Sequence, residues 1–218
     1  MEIKPDSGIK RAFTWLAGER LGLDWKIAVL VVVSTLLLTL DYYHDLTPWK
    51  VVDNLIYYLA APVLVTLLVF RQPLNAYGWR LGDWKAGLTI TAAAVALMTP
   101  ILWLLGHADP SMRDYYSWQN GPVTAAVSFL DLLGWEFMFR GWLLFGFERK
   151  FGREALWLQA VPFALAHLSK PEVETLSTIF GGFAFGWIAW RTRSFFYPLL
   201  IHWYIATLII LISAGVLG

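Results

Sequence analysis

Seven apolar stretches, at 25–43, 51–70, 86–105, 121–147, 155–168, 173–190 and 195–217, occupy most of a 218-residue chain and leave only short connections between them. Most of them reach the roughly 20 residues that a helix needs to cross about 30 Å of hydrocarbon. A water-soluble domain could not cover so much apolar surface. Hydrophobic residues make up 58% of the chain and charged residues 15%, whereas a soluble domain is about a quarter charged. Thirteen tryptophans fit the same solvent, because indole rings favour the membrane interface. The expected fold is all-α, a polytopic transmembrane helical bundle of about seven spans. The fifth stretch is short, so the count is uncertain by one. Pro62, Pro100, Pro162 and Pro198 do not exclude helices, since neighbouring helices can satisfy the carbonyls they free.

Lysine and arginine concentrate in cytoplasmic loops, and here they alternate cleanly. Lys4, Lys10, Arg11, Arg20, Lys26, Arg71, Arg80, Lys85, Arg149, Lys150, Arg153, Arg191 and Arg193 fall on one side, against Lys50, Arg113 and Lys170 on the other. The N-terminus is therefore expected in the cytoplasm. Residues 1–22 read as a cytoplasmic amphipathic segment, with Ile9, Phe13, Leu16 and Ala17 at helical spacing beside Lys10, Arg11 and Arg20. No small-residue cleavage site follows the first apolar run, so it reads as a retained span rather than a signal peptide. Residues 23–218 form a single transmembrane domain with no linker-like segment. A net charge of +1 with no clustered basic face argues against nucleic acid as a partner. The absence of cysteine excludes disulfides, thiolate metal sites and a cysteine nucleophile. Nothing in the pattern sets an oligomeric state.

Ionisable side chains inside spans cost about 2.5–3.5 kcal/mol each on insertion scales, so they face the bundle interior and mark function. Glu136 and Arg140 stand four apart on the fourth stretch, on one helical face, where they can pair. Alone, such a pair is as readily a packing device as a functional one. His167 and His202, taken singly, read as hydrogen-bonded core histidines. Their depths coincide, however: at about 1.5 Å per residue, Glu136 and His202 lie roughly 10–17 Å and His167 roughly 20 Å from the cytoplasmic helix ends. One cavity can hold all three. A carboxylate kept ionised by arginine, with two imidazoles nearby, suits hydrolysis. The same trio, Glu136, His167 and His202, also suits zinc with an open position. Gly182 and Gly186, beside Gly181, form a small-residue face that permits close helix packing.

Over 132–206 these residues resemble the CAAX-protease and bacteriocin-processing family of intramembrane proteases, also called Abi or type II CAAX prenyl endopeptidase-like, with a core at about 121–217. Three ordered motifs carry the resemblance. The first, Glu-Glu-x-x-x-Arg, reads Trp135-Glu136-Phe-Met-Phe-Arg140-Gly141; the second, Phe-x-x-x-His, is intact as Phe163-Ala-Leu-Ala-His167; the third, His-x-x-x-Asn/Asp, reads His202-Trp-Tyr-Ile-Ala206. The segment 77–84 and the stretch 182–194 are similar as well. The resemblance implies an intramembrane endopeptidase in which a glutamate activates water while the histidines hold the oxyanion or, in an older view, a metal. Two positions depart from the pattern: Trp135 replaces the glutamate that the family uses as base, and Ala206 replaces the Asn/Asp.

The expected function is hydrolysis of a peptide bond in a membrane-anchored peptide or protein, near the cytoplasmic side, with Glu136 as base and His167 and His202 on the oxyanion. Asp131, one turn before Trp135 on the same face, is a possible substitute carboxylate. No cofactor is expected, with zinc as the alternative. A catalytically inactive member that binds or scaffolds membrane partners is a second reading, and a proton- or ion-coupled transporter a third. The expected location is the lipid bilayer of a bacterial cytoplasmic membrane.

Overall fold

The computed structural model describes residues 22–116 and 121–217, so the amphipathic segment expected at 1–22 lies outside the described residues apart from Gly22. The described chain is helical with no strand. Helix α1 spans Trp25–Tyr43 and α2 spans Lys50–Val69; α3 spans Trp84–Ala108, and the short α4 spans Pro110–Tyr116. Then come α5 (Gly121–Glu136), a π-helical turn (Phe137–Leu143) and α6 (Leu144–Phe151), followed by α7 (Ala155–Leu165), α8 (Glu172–Thr192) and α9 (Phe196–Ser213).

Four of these helices, α1, α2, α3 and α9, are long and apolar enough to cross a membrane. Helix α2 reaches that length through π-helical turns at Leu55–Ala60 and Val65–Val69, and the other three expected spans do not meet both conditions. The fourth is interrupted by the π turn, the fifth contracts to the 11 residues of α7, and the sixth carries Glu172 and Glu174 in its first turn. Helix starts follow local chemistry. Asp24 accepts from the amides of Lys26 and Ile27 at the head of α1, and Asp83 accepts from Ala86 at the head of α3.

The core gathers on the π turn. Phe137, Met138, Phe139, Arg140, Trp142 and Leu143 are all fully buried there. Helices α7 and α8 cross closely because α8 presents glycine. A Cβ on Gly182 would lie 3.0 Å from Ala160 Cβ, and one on Gly186 would lie 2.5 Å from Gln159 Nε2. The gap is used: Gln159 Nε2 donates to the carbonyls of Leu156 and Gly182 at 2.8 and 2.7 Å. The small-residue face read from the sequence is thus a packing seam.

The segment 77–84 folds under the arginine-rich ends of the helices. Asp83 N donates to Thr192 O, Phe195 N to Gly78 O, and the Tyr197 hydroxyl to Leu81 O. Trp79 sits 5.4 Å, centroid to centroid, from both Phe137 and Phe195, which are themselves 5.4 Å apart. Three mutually edge-on or tilted aromatic rings therefore close this end of the bundle.

Candidate functional site

Four helical elements bring the polar residues together. Glu136 is the last residue of α5 and Arg140 lies in the π turn; His167 follows α7, and His202 is in α9. The π turn matters locally, because widening a helix by one residue per turn re-aims side chains, and such turns recur at functional sites.

Glu136 is wholly buried. Its Oε1 accepts from His202 Nδ1 at 2.7 Å, and its Oε2 lies 3.4 Å from Arg140 Nε. A carboxylate accepts, so the short contact places a hydrogen on His202 Nδ1. His167 is fixed the same way, its Nδ1 standing 2.8 Å from the Phe163 carbonyl, which can only accept. Both rings therefore turn their Nε2 away from their anchors.

Arg140 is enclosed by aromatic faces. Its guanidinium carbon lies 3.8 Å from the Phe163 ring centroid and 5.3 Å from that of Phe185. Desolvated cation–π contacts are worth about 2 kcal/mol, which helps a buried guanidinium persist. Phe163 thus serves twice, as the ring under Arg140 and as the carbonyl that orients His167.

The two histidines line one cavity of about 1630 Å³, together with Trp135, Asp131 and Ala206. Glu136 and Arg140 do not line it; they stand behind His202. The expected meeting of Glu136, His167 and His202 therefore takes a layered form, in which Glu136 reaches the cavity only through His202. Trp135 fills the space at the family's first-glutamate position and sits edge-on to His167 at 5.8 Å. Asp131 faces the cavity one turn away, held by a hydrogen bond from the Asn54 amide.

Among the described residues, no three His, Asp or Glu side chains are placed to hold a metal ion. The zinc set expected from the sequence, Glu136, His167 and His202, does not form such a group here: Glu136 holds the Nδ1 edge of His202 and does not line the cavity that the two histidines share.

Two features went unmarked in the sequence. One is the aromatic cage of Arg140. The other is a polar chain in which Tyr58 donates to Asp41, Lys50 pairs with Asp41 at 2.8 Å and Asn54 donates to Asp131. Asp53 and Asn54 inside an apolar run were a usable signal, because such groups are costly in a span unless partnered.

A helical bundle with four membrane-length apolar helices, enclosing a carboxylate–imidazole pair at the edge of a deep cavity, defines an integral membrane protein with a built polar site. Residues 117–208, less than half of the chain, match the family model described as Type II CAAX prenyl endopeptidase Rce1-like, and this is the family its three motifs resemble. No curated protein and no solved structure matches the chain.

Proposed function

We propose that the chain is an intramembrane endopeptidase of the CAAX-protease type, in which Glu136 acts through His202. The observation that carries this reading is the 2.7 Å contact of His202 Nδ1 with a fully buried Glu136, behind a cavity that both histidines line. In the proposed reaction, His202 Nε2 takes a proton from water as the oxygen adds to the substrate carbonyl carbon. Glu136 stabilises the imidazolium that forms. The protonated Nε2 then gives its proton to the leaving amine as the C–N bond breaks, so water divides into the new carboxyl and amine ends. His167 Nε2 accepts the second hydrogen of that water and fixes its orientation. This scheme starts from neutral rings with Nε2 free to accept, and so gives the histidines base and orienting roles in place of the oxyanion role expected from the resemblance.

A second reading, a non-catalytic binding protein, is favoured by Trp135, whose indole fills the place of a carboxylate, and by Ala206 at the Asn/Asp position of the third motif. Turnover of a panel of membrane-anchored peptides by the purified protein separates the two. Site-dependent cleavage, lost in His202→Ala, supports the peptidase; cleavage by no preparation supports the binding protein.

A further inference from the structure

The cavity has a direction. Trp135 and His202 line its inner part, and Tyr43, Lys50, Tyr116, Lys170 and Glu174 line its rim, at the helix ends joined by 44–49, 109–116 and 166–171, the last of which also carries His167. Among the described residues, none from the opposite connections, 70–83, 148–154 and 191–195, lines it. Those connections carry Arg71, Arg80, Arg149, Lys150, Arg153, Arg191 and Arg193, whereas the rim side carries only Lys50, Arg113 and Lys170. Lysine and arginine mark the cytoplasmic side, so the open end faces away from the cytoplasm. The cytoplasmic end is closed by Trp79, Phe137 and Phe195, two of them fully buried, and by the loop that packs on Thr192.

We infer that the site is entered from the non-cytoplasmic side, and that its substrate is a polypeptide segment presented from that side of the membrane rather than a cytoplasmic tail. The substrate class rests on the peptidase reading; the route of entry does not. Size supports a chain segment, since 1630 Å³ exceeds the roughly 300–1,000 Å³ of small-molecule pockets. On α9 the cavity wall runs from His202 to Ile210, eight residues further on, about 12 Å at 1.5 Å per residue. An extended chain advances about 3.3 Å per residue, so about four residues span that wall. The rim through which they pass is neutralised in pairs: Lys50 holds Asp41 at 2.8 Å, and Tyr116 donates to Glu174 at 2.7 Å while Lys170 lies 3.7 Å from Glu174. An uncharged or apolar segment meets these charges already paired.

The chain has no cysteine, so single cysteines report without background. Ala206→Cys places a thiol in the cavity one turn from His202, Ser169→Cys places one nearer the rim, and Lys85→Cys marks the arginine-rich end. A membrane-impermeant maleimide added to intact cells is expected to modify Ser169→Cys and Ala206→Cys, and to modify Lys85→Cys only after permeabilisation. Modification of the two cavity cysteines from the cytoplasmic side alone, or from neither side, overturns the inference. Reporter segments tethered outside or inside the cell then test the substrate class: cleavage of the outward-facing reporter is expected, and cleavage of the cytoplasmic one alone overturns it. If detergent-solubilised protein, open on both sides, cleaves no peptide, the peptidase reading fails while the labelled route stands.

Discussion

Glu136→Gln tests the relay from the buried carboxylate to the cavity. The substitution keeps the shape but replaces one acceptor oxygen with an amide that donates. At 2.7 Å from His202 Nδ1, that amide favours the tautomer with a bare Nδ1 and a protonated Nε2, so the nitrogen facing the cavity no longer accepts a proton. The equivalent change in a Ser-His-Asp triad lowers kcat by about 10⁴. At about 1.36 kcal/mol per decade, the same loss here is about 5.4 kcal/mol of transition-state stabilisation. Stability falls as well, because Arg140, fully buried, loses its partner carboxylate. Breaking a buried pair from one side costs about 3–5 kcal/mol. The two effects separate in Glu136→Gln/Arg140→Leu, which is expected to recover thermal stability, followed by tryptophan fluorescence, without recovering turnover. Initial rates on a membrane-anchored peptide, with protein quantified as folded fraction, provide the assay. Turnover by Glu136→Gln within tenfold of wild type would refute the relay.

The remaining predictions concern metal, a loop and pH. Because the residues of the expected zinc set do not form a metal-holding group, chelator treatment is expected to leave peptidase turnover unchanged, and metal analysis of the active preparation to find less than one ion per chain. Gly82 adopts φ +56°, and a Cβ there would lie 1.9 Å from the Thr192 carbonyl oxygen, so Gly82→Ala is expected to cost several kcal/mol, about 3 or more, and to lower the melting midpoint. The Arg191 guanidinium at 2.8 Å, with the Ala86 amide, holds the Asp83 carboxyl below the usual carboxylate range. Its contribution is present above the ordinary carboxylate pKa and lost as pH falls through the depressed value. Protection of amides 82–86 from hydrogen exchange should therefore drop at acid pH, and Asp83→Asn should flatten that dependence.

Helix positions were legible wherever apolar runs met capping residues: the run at 25–43 is a helix with the same bounds, and Asp24 and Asp83 cap the helices they precede. The pairing of Glu136 with Arg140 followed from spacing, and equal depth brought His202 to the same level. Which side of His202 Glu136 would occupy was not legible. That depends on the rotation of α5 against α9, which is set by packing between distant segments and leaves no periodic trace in either. The contraction of the fifth stretch has a similar origin. Helix α7 ends at Leu165, and His167 turns its Nδ1 back onto the Phe163 carbonyl, so a run that is apolar through Leu168 stops being helical early. The cage of Arg140 was hidden for another reason: Phe163 and Phe185 are ordinary apolar residues in their own helices, and only the tertiary fold turns their faces toward a cation.

The π turn at Phe137–Leu143 has a consequence for how this chain can vary. It accommodates a surplus residue midway along a continuous rod, so the positions before and after it are indexed to different phases. Removing one residue there would let the rod return to 3.6 per turn with what lies beyond in nearly the same phase, whereas removing one from the regular turns of α5 would swing everything beyond by about 100°. Trp142 and Leu143 would then leave the interior. Length is consequently constrained more tightly in the regular turns before the π turn than within its seven positions, where a single deletion can be absorbed.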